Sequence, residues 1–307
     1  MRTVAGRQTV SLIIVAGVVG ATALDAQALP ARDPAFDSAH PPAQAELTIP
    51  SHGSTMNGFL YVAAGAGPHA TVVFLHGNPG NERNLDLAQA VRRAGYNALY
   101  FDYRGSWGSG GSFSLQNALD DVGAAIAFLR APTTSAKYHV DTGRIMVVGH
   151  SMGGWIALMS AARNPAISCV VALAASNRGQ EGERMRAHPE EHAARVIEFR
   201  RTTNPESGPI RARAEDLVDE MEVHAADYDL LSHISELKDR HILLVAGTRD
   251  TSHEIVRDTL ARALAATGAA HVRSRVYDDD HALSAHRLAL AALLVDWLGR
   301  ECPRTRP

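Results

Sequence analysis

Lysine is nearly missing from this chain: Lys137 and Lys238 are the only two, and the other basic side chains are arginines. Arginine stays protonated and cannot act as a nucleophile or Schiff-base amine, so lysine-based chemistry is all but excluded. There is no surplus of positive charge either. Thirty Lys and Arg residues stand against 33 Asp and Glu, for a net charge of −3, so no broad positive field awaits a phosphate backbone and nucleic acid is not an expected partner. Cysteine is scarce, with only Cys169 and Cys302. Cys169 lies in the apolar run 167–173 and reads as a buried strand residue, so a bridge to Cys302 in the C-terminal tail is open but not the favoured reading.

Long apolar runs are lacking too. The N-terminal stretch 10–24 spans about 15 residues, is interrupted by Gly17 and Gly20, and falls short of the ~20 needed to cross a bilayer. Preceded by Arg2 and Arg7 and followed by Ala26-Gln27-Ala28, it reads as a cleavable export signal over residues 1–28, with no stable membrane anchor expected and a periplasmic or secreted destination. Residues 29–45, with Pro30, Pro34, Pro41 and Pro42, suit an extended leader. From residue 46 onward the chain reads as one globular α/β domain. The 46% apolar and 21% charged fractions are those of an ordinary folded enzyme.

Segments 46–49 and 58–63 read as an edge hairpin. Beyond them, the β-branched apolar runs 71–75, 97–101, 145–148, 167–173, 242–246 and 272–277 are of strand length. Near-continuous apolar strands belong to a parallel sheet covered on both faces. Helical patterns at 85–94, 115–129, 153–163, 253–266 and 281–298 alternate with them, which predicts a doubly wound, mostly parallel sheet. The stretch 176–238 breaks the alternation. It is too long for a plain connection and carries helical runs at 190–201 and 214–226, so an inserted helical cap is expected there.

The segment Val147-Val148-Gly149-His150-Ser151-Met152-Gly153-Gly154 is a strand, a sharp turn and the start of a helix. A Gly-x-Ser-x-Gly sequence in that setting holds a serine hydroxyl at the tip of the turn, and Ser151 is the candidate nucleophile. The positive end of the helix lies where an oxyanion would form. On these residues the chain resembles the α/β-hydrolase superfamily, from about residue 71 to 298. The resemblance implies the chain order nucleophile, acid, histidine. It assigns the acid to Asp250, after the strand Leu243-Leu244-Val245-Ala246-Gly247, and the histidine to His281, after Tyr277-Asp278-Asp279-Asp280. His76-Gly77-Asn78-Pro79-Gly80 resembles the family's oxyanion loop, with the backbone N–H groups of Asn78 and Met152 as donors. This loop lacks the run of glycines found in many lipases and esterases.

Other residues invite rival readings. Asp278, Asp279 and Asp280 read as a solvated turn, and His286 as lying at least a turn into the last helix. Asp102 and Arg104 read as structural, and Gly105 to Gly111 as a mobile surface loop. His188-Pro189-Glu190-Glu191-His192 fits a short zinc-protease pattern without an evident third ligand, so no metal and no cofactor is expected. The expected activity is hydrolysis of an ester, thioester or amide of a small molecule or peptide through a Ser151 acyl-enzyme. A peptidase whose acid-rich cap grips an amine, an acyltransferase, and a non-catalytic binder stay as alternatives.

Overall fold

Residues 36–250 and 255–302 are described by the computed structural model of the protein; the expected signal 1–28 lies outside them. The chain opens with strands β1 (Ala43–Ser51) and β2 (Ser54–Val62), then β3 (His69–Leu75), helix α1 (Leu85–Arg93), β4 (Asn97–Phe101), α2 (Leu115–Arg130), α3 (Pro132–Lys137), β5 (Val140–His150), α4 (Met152–Arg163) and β6 (Cys169–Leu173). A helical insert follows: α5 (Arg178–Ala187), α6 (Pro189–Phe199), α7 (Ala214–Val223), α8 (Ala225–Tyr228) and α9 (Ile234–Leu237). The sheet then resumes with β7 (His241–Gly247), a π-helical stretch Ile255–Leu260 running into α10 (Ala261–Ala266), β8 (Val272–Tyr277) and α11 (Arg287–Glu301). No described helix is long and apolar enough to cross a membrane.

All eight strands form one sheet in the order β1-β2-β4-β3-β5-β6-β7-β8. Only β1 with β2 and β2 with β4 pair antiparallel; the rest are parallel. The apolar strands explain themselves by which face each residue takes. Val73 and Leu75 of β3 join one core with Leu119 and Val122 of α2 and Trp155 and Ile156 of α4. Their neighbours Val72 and Phe74 join the opposite core with Leu87 and Val91 of α1 and Leu290, Leu294 and Trp297 of α11. A strand buried on both faces has few positions for a polar side chain, hence the near-continuous runs. β8 departs from the expected pattern: as the edge strand it exposes Arg273, Ser274 and Arg275. β1 begins at Ala43, so the leader expected to reach residue 45 ends in the sheet's first strand.

β3 and β5 are neighbours, but the chain leaves β3 toward β4 on one side and returns through α2 to β5 on the other. The connections therefore diverge at the carboxyl ends of β3 and β5 and open a crevice between them, the usual place for a site in such sheets. The insert closes over this end. Its segment around Ile210 bridges Ser106, and backbone bonds Arg211 N–H to Gly105 O (2.7 Å), Trp107 N–H to Pro209 O (2.9 Å) and Phe113 N–H to Arg211 O (3.0 Å) stitch it to the loop after β4. That loop, expected to be mobile, is pinned. Ser106 and Ser109 are fully buried, because the insert and the β1–β2 turn cover them from two sides, with Gly110 N–H bonded to Thr55 O at 2.7 Å.

Cys169 is a buried strand residue, as its apolar setting suggests, but it is also bonded to Cys302. The unfavoured pairing is thus the one the structure contains. α11 packs across the face of the sheet that carries Cys169 and delivers its last turn to the amino end of β6.

Candidate active site

Ser151 sits between β5 and α4 with φ 58° and ψ −121°. A positive φ on a residue with a Cβ costs about 1–3 kcal/mol and persists only where the surroundings enforce it. Here they do: Ser151 N–H is held by Leu173 O at 2.8 Å, and Ser151 O accepts from the N–H groups of Gly154 (3.0 Å) and Trp155 (3.2 Å). The tight crossing also requires glycine. A Cβ on Gly153 would lie 2.1 Å from Leu75 O, and one on Gly149 would lie 1.9 Å from Gly153 O. The N–H of Met152, first residue of α4, has no acceptor within its own helix, while the Met152 side chain is buried.

Ser151, His281 and Asn78 line one cleft of about 360 Å³, together with Gly77, Pro79 and His150. His281 Nδ1 donates to Asp250 Oδ2 at 2.6 Å, and the Asp250 carboxylate is buried behind the ring. A carboxylate can only accept, so the bond fixes the proton on Nδ1 and leaves Nε2 as the basic nitrogen. Among the described residues Ser151 Oγ makes no hydrogen bond to His281. Such contacts are often loose before a substrate tightens the site. A Cβ on Gly77 would come within 3.5 Å of Ser151 Oγ, so the loop after β3 runs directly beside the hydroxyl.

The loop carrying His281 is braced by one of the three aspartates that read as a solvated turn; Asp278 and Asp280 are exposed as expected, and Asp279 is not. Asp279 is wholly buried. It accepts from Asp280 N–H (2.9 Å), Ala285 N–H (3.1 Å) and His286 Nδ1 (2.8 Å). His286 precedes α11 and stacks on Tyr277 with centroids 4.8 Å apart. The last helix therefore starts six residues after His281. Three consecutive aspartates look alike in sequence, and only the fold turns the middle one inward.

His150, beside Ser151, donates from Nε2 to the His281 carbonyl at 2.8 Å. Burial pushes its pKa down from 6.5 to about 4, so it is a neutral strut. His76 is likewise buried and lowered to about 4. Its Nδ1 donates to Gly77 O at 2.7 Å, and Trp107 Nε1 donates to Pro79 O at 2.6 Å, which together set the course of the Asn78 loop. Adjacency to Ser151 was the only sequence signal for His150; for Trp107 there was none. Arg104 is structural, bound through Nε to buried Asp121 at 2.6 Å. Asp102 accepts from Tyr100 Oη at 2.8 Å; burial raises its pKa, with Tyr100 and Arg83 pulling the other way.

Fold and site together define an α/β hydrolase. The family model described as the alpha/beta hydrolase family matches residues 72–296, and the chain belongs to that family. An uncharacterized protein of Mycobacterium tuberculosis is 30% identical over 146 residues, 44% of this chain and 50% of the relative; the chain thus spans about half the length of the curated relatives it matches. Among solved structures it is similar to a Pyrococcus furiosus esterase (TM-score 0.61, 19% identity, 85% of this chain and 92% of that one). It is also similar to the Pyrococcus horikoshii acylaminoacyl peptidase (TM-score 0.62, 15% identity, 87% and 42%).

Proposed function

We propose that this protein is an exported serine hydrolase that cleaves a carboxylic ester through a Ser151 acyl-enzyme. The observation that carries the reading is the 2.6 Å Asp250–His281 pair facing the same cleft as a serine held at positive φ. In this mechanism Ser151 Oγ attacks the substrate carbonyl carbon and its proton passes to His281 Nε2. The charged imidazole is stabilised by Asp250, and the N–H groups of Met152 and Asn78 receive the oxyanion. Collapse of the tetrahedral intermediate breaks the bond to the leaving alcohol, which takes the proton from His281. Water activated by the same nitrogen then releases the acid.

Ester is preferred to amine-gripping peptidase because four of the insert's five candidate glutamates are already paired with arginines, and the fifth, Glu190, faces His188. Glu181 pairs with Arg178 (2.7 Å) and Arg195 (3.2 Å), Glu183 with Arg186, Glu191 with Arg184, and Glu198 with Arg195. None of them lines the cleft. Export is supported by the N-terminal signal pattern and by the Cys169–Cys302 bond, since disulfides persist in oxidising compartments. The test is labelling with a fluorophosphonate beside turnover of short acyl esters and amino-acyl amides. Wild type is expected to label and to cleave the esters. Ser151→Ala should do neither, with activity down about 10⁴-fold or more. Equal labelling of both proteins refutes the nucleophile, and amide turnover exceeding ester turnover refutes the substrate class.

A further inference from the structure

At the opposite end of the sheet from Ser151, three potential ligands converge from parts of the chain far apart in sequence. His241 is the first residue of β7, His271 immediately precedes β8, and Glu301 is the last residue of α11. One ligand atom from each lies within 4.8 Å of the others. The two imidazoles are stacked with centroids 4.1 Å apart, and the backbone holds them together through Ile242 N–H to His271 O at 2.9 Å. His241 Nδ1 is buried and has no hydrogen-bond partner among the described residues, which is costly for a polar atom unless something binds it. Glu301 is held there covalently: its neighbour Cys302 is bonded to Cys169, and Cys169 pairs in register with His241.

We propose that His241, His271 and Glu301 bind a zinc-class divalent transition-metal ion, clasping α11 to the β7–β8 edge. Two imidazoles and one carboxylate suit Zn²⁺, Co²⁺ or Ni²⁺; the all-oxygen sets preferred by Ca²⁺ and Mg²⁺ are absent from this trio. Metal bonds of about 2.0–2.2 Å require the ligand atoms to close in from their present spacing. His271 is exposed and Glu301 only partly buried, so rotation of these two side chains supplies the movement, and water completes the shell. β7 runs seven residues from His241 to the catalytic end, about 20 Å away at the rise of a strand, so the ion is structural. Arg273 is the competitor. Its Nη2 lies 3.8 Å from Glu301 Oε1, and its side chain is half exposed, held otherwise by long bonds from Nη1 to the carbonyls of Ala270 (3.4 Å) and Val272 (3.3 Å).

A second trio, His192, Asp219 and Glu222 on the insert, is the weaker candidate. It offers one imidazole, and His192 Nδ1 is already bonded to Glu222 at 2.7 Å. His188 of the zinc-protease-like pattern turns to Glu190 instead.

The test uses full-length protein without a histidine tag, stripped by chelator. Zn²⁺ is titrated calorimetrically, and Co²⁺ is followed by its visible d–d absorption. One ion per chain is expected, with micromolar or tighter affinity and a rise in Tm on Zn²⁺ addition. His271→Ala should bind at least about tenfold more weakly and lose the Tm rise while keeping the metal-free Tm. Arg273→Ala should bind several-fold more tightly, and His192→Ala should behave as wild type. The proposal is overturned by the absence of saturable binding at about 100 µM Zn²⁺, by binding that His271→Ala leaves unchanged, or by binding that His192→Ala abolishes.

Discussion

Replacing both half-cystines, in a Cys169→Ala/Cys302→Ala variant, should lower stability without touching turnover. The bond spans 133 residues. Loop-closure entropy for a loop of that length amounts to about 5 kcal/mol at 25 °C, and measured losses of native disulfides run from about 2 to 5 kcal/mol. For a chain of this size each kcal/mol moves Tm by roughly 2–4 °C, so a fall of about 5–15 °C is expected. Both cysteines are buried, and truncating them adds a small packing loss. Adding reductant to wild type separates that loss from the cross-link itself and should reproduce most of the shift. Ester turnover at 25 °C should stay within about twofold, because the bond lies at the amino end of the strands and Leu290, Leu294 and Trp297 still dock α11. The assay is scanning calorimetry with and without reductant, beside thiol counting under denaturing conditions. Identical transitions under both conditions, or two free thiols in protein isolated from an oxidising compartment, would refute the reasoning.

Asp250→Asn should preserve the fold and cut kcat by about 10³–10⁴-fold with little change in KM, since the imidazolium loses its counter-charge and the tautomer its lock; a loss under tenfold in steady-state assays removes Asp250 from the relay. Gly153→Ala should abolish soluble expression or cost more than about 3 kcal/mol by denaturant titration, because its Cβ meets backbone oxygen at 2.1 Å. Gly123→Ala in α2, where a Cβ meets nothing within 4 Å, should instead stabilise by about 0.5–1 kcal/mol. Stability should also depend on acid. His76 and His150 have folded pKa values near 4 against 6.5 when free, so the unfolded chain binds protons first. The contribution of each is complete above pH 6.5 and drains at up to about 1.4 kcal/mol per pH unit as pH falls toward 4. Urea midpoints from pH 7.5 to 5 check this, and His150→Gln should flatten the slope.

The sheet was readable because burial on both faces leaves continuous apolar runs, and each expected parallel strand is present, 97–101 and 272–277 with the expected ends and the others with shifted ones. The turn at Ser151 was readable because Gly149 and Gly153 mark a local steric demand. What stayed hidden depends on distant partners. Asp279 becomes a buried brace only when His286 and Ala285 fold back on it, and its sequence neighbours are as acidic as those of any solvated turn. Gly105 to Gly111 has the composition of a mobile loop, yet a segment about a hundred residues onward ties it down. The glutamates of the insert suggest an amine-binding face in sequence, whereas in the fold Glu181, Glu183, Glu191 and Glu198 are paired with nearby arginines.

The stitching of Arg211 and Ile210 to the loop after β4 bears on how this scaffold could be re-engineered. An exchange of residues 178–237 alone would strand the polar backbone of 105–113 without its acceptors and donors. A chimaera meant to change selectivity must carry both segments as one graft, with Asn78 kept opposite its Thr202 counterpart, their side chains being 3.4 Å apart.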